Sequence, residues 1–298
     1  MKYRKLGKSG LTVSEIGFGC MSLDENNPDN NRLIHRAIDL GVNFFDTADL
    51  YQKGLNEITL GKAVKEIRKE LIIASKVGNQ WKADGSAWDW NPGKDYILSS
   101  IDQTLKRLQT DYIDLYQLHG GTIDDPIDET IEAFEILKEQ GKIRHYGISS
   151  IRPNVIREYI KRSNIVSVMM QYSLLDRRPE EICLDLLQKN NIGVLARGSL
   201  AKGLLVNKPA AAYLNYSEAD VRKAASAIAS ISGNERTNAQ TAIGFVLQHF
   251  AVSSAVVGMR TVEQLEDIVQ TPDTSVPDKN EISFLNQALP ANYYDAHR

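Results

Sequence analysis

Cysteine is scarce in this chain. Cys20 and Cys183 are the only two in 298 residues, and no Cys-x-x-Cys spacing occurs. This excludes a disulfide framework and argues against a thiolate zinc site or a dithiol redox centre. Four of the five histidines, His35, His145, His249 and His297, are scattered without ligand spacing, so no metal is expected. No apolar segment reaches 18 uninterrupted residues, and Met1 runs into Lys-Tyr-Arg-Lys instead of an apolar stretch. Neither a membrane span nor a secretory signal is expected. Basic residues do not predominate: 35 Lys and Arg against 38 Asp and Glu leave a net charge of −3, so no nucleic-acid surface is expected. No low-complexity linker divides the chain, and residues 1–298 read as one domain of a reduced, cytoplasmic protein.

What is present is alternation. Short runs of β-forming residues, near 16–19, 43–46, 71–75, 112–118, 143–148, 166–171, 192–196 and 254–257, alternate with longer amphipathic segments. Repeated βα units predict a parallel sheet, and eight strands close a (β/α)8 TIM barrel, which at about 250 residues leaves room for modest additions. The helices carry their own punctuation. Asp29 or Asn30 can cap the first, which stops at Gly41. Pro92 and Gly93 precede the third, Asp124 to Asp128 precede the fourth, which stops at Gly141, and Pro153 opens the fifth. Three stretches fall outside a bare barrel. Residues 3–13, around the Gly7-Lys8-Ser9-Gly10 turn, read as an N-terminal β-hairpin that plugs the barrel bottom. Residues 198–239, with Gly233-Asn234, form a long excursion after strand seven, and one extra C-terminal helix follows Pro277.

With the strands so placed, Asp46, Lys76 and His119 stand at or just past the ends of strands two, three and four, and Tyr51 lies on the loop after strand two. Active sites of such barrels gather at that face. A buried ammonium is tolerated beside a carboxylate, and its field favours phenolate over phenol. A phenol tuned in this way can give a proton to a carbonyl oxygen, with His119 orienting that oxygen or helping the proton transfer. Each residue also has a structural reading: Asp46 as a turn cap, Lys76 as a strand-end charge in water, His119 as a histidine before the Gly120-Gly121 turn.

The segments Gly17-Phe18-Gly19-Cys20-Met21, Gly41-Val42-Asn43-Phe44-Phe45-Asp46-Thr47-Ala48-Asp49-Leu50-Tyr51, Ser75-Lys76 and Asp111-Tyr112-Ile113-Asp114-Leu115-Tyr116-Gln117-Leu118-His119 are joined by Gly141 to Ser149, Gln171-Tyr172-Ser173 and Val257-Gly258-Met259-Arg260-Thr261. In order and spacing, over nearly the whole length, this text resembles the aldo-keto reductase family. The resemblance implies a (β/α)8 barrel that reduces aldehydes or ketones with NADPH, leaving NADP+, and it matches Asp46, Tyr51, Lys76 and His119 to the family tetrad. It also implies that Ser149 and Gln171 hold the nicotinamide carboxamide, that Gly258 and Arg260 receive a phosphate where the eighth helix opens, and that Gln264 lines the adenosine end. Arg197 falls where many members stack an aromatic ring on the nicotinamide. A cation there opposes the charge of the oxidised cofactor and favours the reduced one. Leu265-Glu266-Asp267-Ile268 replaces the asparagine that often contacts adenine.

Trp81, Trp88 and Trp90 share one loop after Lys76; Trp81 and Met21 are the expected substrate-pocket residues, against the alternative of an aromatic-packed surface loop. The expected partner is a small carbonyl compound, and the expected state a monomer. Two other readings remain open: a cofactor-binding, redox-reporting regulatory subunit of the same fold, and a lyase or aldolase with Lys76 as Schiff-base nucleophile.

Overall fold

The computed structural model describes residues 1–298 apart from Asn234 and Ser275, so the Asn234 half of the Gly233-Asn234 pair lies outside the described residues. The chain opens with β1 (Tyr3–Lys5) and β2 (Thr12–Ser14), paired antiparallel. There follow β3 (Ile16–Gly19), α1 (Asn30–Asp39), β4 (Phe44–Asp46), α2 (Leu55–Val64) and β5 (Ile72–Val77). A small antiparallel pair, β6 (Asn79–Trp81) and β7 (Trp88–Trp90), precedes α3 (Lys94–Leu108). Then come β8 (Ile113–Leu118), α4 (Ile127–Glu139), β9 (Ile143–Ser149), α5 (Pro153–Arg162), β10 (Ser167–Gln171), α6 (Cys183–Lys189) and β11 (Gly193–Arg197). The chain continues through α7 (Glu218–Ile231), α8 (Asn238–Leu247), β12 (Val252–Val257), α9 (Val262–Val269) and α10 (Lys279–Ala288).

Eight parallel strands close in the order β3, β4, β5, β8, β9, β10, β11, β12, with β12 returning to β3. Apolar side chains pack on both sides of the ring. Phe44, Ala74, Leu115, Met169, Leu195 and Val256 fill its interior, while a larger cluster lies between the strands and the helical shell. The interior is closed from below by Leu6 and Val13 of the N-terminal hairpin, both fully buried in the same cluster. Gly7 makes that approach possible. Its φ is +51°, and a Cβ there would lie 2.6 Å from Gly193 N and from Val166 O.

The helix punctuation works largely as its residue types dictate. Gly41 and Gly141 take φ values of +89° and +73° just past α1 and α4, Gly93 is the N-cap of α3, and Pro153 is the first residue of α5. Asp29 stands at the N-cap of α1 without a side-chain capping bond. Ser217, Thr237 and Asp278 form reciprocal capping boxes at α7, α8 and α10. Helix α8 packs on β12 as the barrel helix of its unit, whereas α7 belongs to the excursion and packs against the extra C-terminal helix α10. The tail beyond α10 is tied to the outer wall: Arg177 N donates to Asn292 Oδ1 at 2.8 Å, Tyr294 N to Glu181 Oε2 at 3.1 Å and Asn154 N to the His297 carbonyl at 2.9 Å.

Candidate active site

Parallel register carries the site residues to one rim. Asp46, Ser149, Gln171 and Arg197 are the last residues of β4, β9, β10 and β11, Lys76 is the penultimate residue of β5, and His119 and Gly258 directly follow β8 and β12. Lys76 is paired with Gln117, and Gln171 with Arg197, so side chains far apart in sequence stand side by side.

The Lys76 ammonium is buried, and its three N–H groups all have acceptors. Nζ lies 2.6 Å from Asp46 Oδ2, 2.8 Å from the Thr47 carbonyl and 3.2 Å from Tyr51 Oη. Burial pushes its pKa down, but the Asp46 carboxylate and the Tyr51 oxygen outweigh that effect and hold the ammonium above its ordinary value. Burial pushes the Asp46 carboxyl up, opposed by Lys76 and by Gln117, whose amide donates to Oδ1 at 3.4 Å. His119 stands edge-on to the Tyr51 ring, with centroids 5.6 Å apart. Burial, then Lys76 and Arg197, depress its pKa to about 3, so the imidazole is uncharged at neutral pH. The tetrad residues thus form one assembly.

Tyr51 opens a tight turn held in an uncommon conformation. Gln52 and Lys53 have φ values of 50° and 54°, a left-handed pair of non-glycine residues, and Gly54 follows at 86°. Contacts keep the turn in place: the Gln52 amide donates to the Leu23 carbonyl at 2.6 Å, and Lys53 Nζ lies 5.4 Å from the Trp81 ring centroid. The phenol is therefore carried by a constrained turn, not by a free loop.

A cavity of about 460 Å³ opens over this assembly and reaches Tyr51, Lys76, His119, Ser149 and Arg197, with Met21 on its edge. Trp81 is not among its lining residues. Trp88, half exposed, takes that place, because the β6–β7 hairpin turns Trp81 toward Lys53. Trp90 packs into the space left by Gly78 and Gly120, and its indole N–H reaches Asp125 at 3.1 Å. Cys20 is fully buried and its thiol is pushed far up by burial, so it is inert packing.

Of the expected cofactor residues, Arg197 donates to Gln171 Oε1 at 3.1 Å, and the Gln171 amide donates to Tyr213 Oη at 2.8 Å. Gly258 stands against Ser22, where a Cβ would come to 2.9 Å of the Ser22 Cβ. Arg260 lines a second cavity of about 450 Å³ together with Met21, Asp24 and Asn30. Gln264 is folded back, its Oε1 accepting from Arg260 N at 3.0 Å.

Several residues at the site were not singled out from sequence. Leu50, Asn79, Ser150, Ile151 and Arg152 line the main cavity, and each follows closely after a barrel strand, the position that would have flagged them. Behind the tetrad lies a buried acidic pair. Glu57 accepts from Ser75 Oγ at 2.5 Å and from Arg107 Nε at 2.6 Å, whereas Asp49 Oδ1 has no partner among the described residues. Burial, then Glu57, raise the Asp49 pKa to about 8.

The barrel fold agrees with what the chain is similar to. A model of the Aldo/keto reductase family matches residues 15–289. The chain belongs to the aldo/keto reductase family. It is 47% identical, over the full length of both chains, to the uncharacterized oxidoreductase YqkF of Bacillus subtilis. It is 34% identical to the aldo-keto reductase yakc of Schizosaccharomyces pombe, named for NADP(+), across 68% of this chain and 62% of that protein. Among solved structures, the holo form of aldo-keto reductase AKR11C1 from Bacillus halodurans matches with a TM-score of 0.94 and 48% identity, covering 100% of this chain and 99% of that one. As a member of this family the chain is an oxidoreductase built on the (β/α)8 barrel. No helix among the described residues is long and apolar enough to cross a membrane.

Proposed function

We propose that the chain reduces aldehydes or ketones to alcohols with NADPH, and that Tyr51 is the proton donor. One observation carries this reading: the Lys76 ammonium spends its third N–H on Tyr51 Oη. Because the phenol oxygen accepts that bond, the phenol's own proton is left to point into the cavity. The ammonium stands 3.2 Å from the oxygen that the proton leaves.

The residues present fit NADPH. Arg260, at the opening of α9, forms no salt bridge among the described residues and suits a phosphate. Ser149 and Gln171, on neighbouring strands β9 and β10, offer a hydroxyl and an amide to a carboxamide. Arg197, exposed and lining the cavity, presents a planar cation for the nicotinamide, which favours the reduced cofactor. When bound, NADPH supplies the hydride for the carbonyl carbon. Tyr51 then gives its proton to the carbonyl oxygen. His119, being uncharged, donates one hydrogen bond to that oxygen without competing as an acid. Asp46 holds Lys76 charged and in place.

The same saturation disfavours a Schiff-base role for Lys76. A nucleophilic amine needs an uncharged, free lone pair, and this one is a paired ammonium. Both cysteines are free and buried, in keeping with a reduced cytoplasmic setting, and we take the chain to act there as a monomer on small carbonyl compounds.

The test is loss of NADPH absorbance with purified protein across a panel of aldehydes and ketones, run beside NADH. Turnover that prefers NADPH is the expected result. Tight NADPH binding with no turnover on the panel would move the assignment to a regulatory cofactor-binding protein.

A further inference from the structure

Among the described residues, fifteen line the main cavity; three of them, Lys76, Arg152 and Arg197, are cations, and none is an acid. The chain as a whole carries a net charge of −3, so this surplus is local. Lys76 is neutralised by Asp46. Arg197 shares a bond with Gln171 at the cofactor side. Arg152 is not accounted for by either role.

Arg152 is held firmly. Its backbone N donates to Ser150 Oγ at 3.1 Å, and Pro153 begins α5 immediately after it. Its Nη1 donates to the carbonyl of Gly121, two residues past His119, which ties the guanidinium to the loop that carries the imidazole. Among the described residues no carboxylate lies within salt-bridge distance of it. A half-buried guanidinium has five N–H donors, and one carbonyl leaves most of a flat, charged edge unspent. The same cavity, which Tyr51 also lines, offers apolar surface from Leu50, Trp88 and Ile151.

We infer that Arg152 is a substrate-specificity residue, and that the preferred substrate is a carbonyl compound carrying a carboxylate separated from its aldehyde or ketone by an apolar span. The fork of a guanidinium matches a carboxylate in shape as well as charge. The apolar walls take the spacer, and the cation-only lining draws an anion in from solution. This rests on the reductase reading given above.

The experiment compares 4-carboxybenzaldehyde with its methyl ester at saturating NADPH, in the wild type, Arg152→Gln and Arg152→Lys. The kcat/KM ratio of acid to ester is the readout. The wild type should favour the acid by about tenfold to a hundredfold, the range of a charge-assisted bond. That ratio should fall to about one in Arg152→Gln, be partly kept in Arg152→Lys, and narrow at high salt. A wild-type ratio at or below one would overturn the inference, as would equal losses on both probes in Arg152→Gln, which would mean that Arg152 only braces Gly121. A second arm needs no turnover. Calorimetric binding of 4-(hydroxymethyl)benzoate and its methyl ester to wild type and Arg152→Gln should show the same contrast, and its absence would refute the role of Arg152. Failure of the reductase reading is separately visible, as no NADPH oxidation with either aldehyde while the binding contrast persists.

Discussion

Lys76 Nζ donates to Tyr51 Oη over 3.2 Å, while its other two N–H groups are taken by Asp46 and the Thr47 carbonyl. An ammonium with three fixed acceptors cannot rotate to new partners. Charge, orientation and donor count therefore all serve the phenol.

Replacing Lys76 with Met leaves Asp46 as a buried carboxylate without its cation. The expected loss is about 3–5 kcal/mol of folding stability, together with turnover. The double variant Lys76→Met with Asp46→Asn should recover much of the stability and none of the activity. Urea midpoints for the three proteins check this, and a single variant as stable as the wild type would contradict a buried, coupled pair.

How much of this was legible in the sequence depends on where the signal lies. Eight barrel strands, the plugging hairpin and the C-terminal helix follow from apolar runs and turn residues, which are local. β12 starts at Val252, two residues before the 254–257 run, because Ser253, which breaks the apolar pattern, is a strand residue whose hydroxyl bonds the Lys5 carbonyl inside the fold. The β6–β7 hairpin falls in a segment that reads as loop, since its Asn, Gln and Trp residues pair outside the barrel with no hydrophobic alternation. Asp49 and Glu57 carry no local signal that marks them as buried. Their burial is tertiary: Glu57 of α2 is brought onto Ser75 of β5, and its charge acts on Asp49.

His119 makes a prediction about pH. Its folded pKa of about 3 lies below the unfolded value near 6.5, so below about pH 6.5 the unfolded chain binds a proton that the folded chain refuses. The stability contribution is present above pH 6.5 and is lost as pH falls toward 3. In the kcat profile between pH 5 and 8, His119 should add no inflection. An acid limb near 6.5 that disappears in His119→Gln would show a charged imidazole and contradict the assignment.

Asp49 has the opposite sign. Its folded pKa of about 8 lies above the unfolded value near 3.8, so the folded chain keeps a proton that the unfolded chain loses. Its contribution is full below about pH 4 and is lost as pH rises through 8. Asn at this position mimics the protonated form. Asp49→Asn should be more stable than the wild type at pH 8.5 by about 1–3 kcal/mol, and should lose less stability between pH 5 and 8.5. Denaturant midpoints at the two pH values decide the matter, and an equally steep decline in both proteins would remove Asp49 as the source.

Whether the Tyr51 hydroxyl gives up the proton is decided by single-turnover mixing of the NADPH complex with an aldehyde. Tyr51→Phe keeps the ring and removes the hydroxyl. It should bind NADPH as the wild type does, by quenching of protein fluorescence, and transfer hydride about a hundredfold to ten-thousandfold more slowly. A variant that reduces the aldehyde within a few-fold of the wild-type rate would contradict the account.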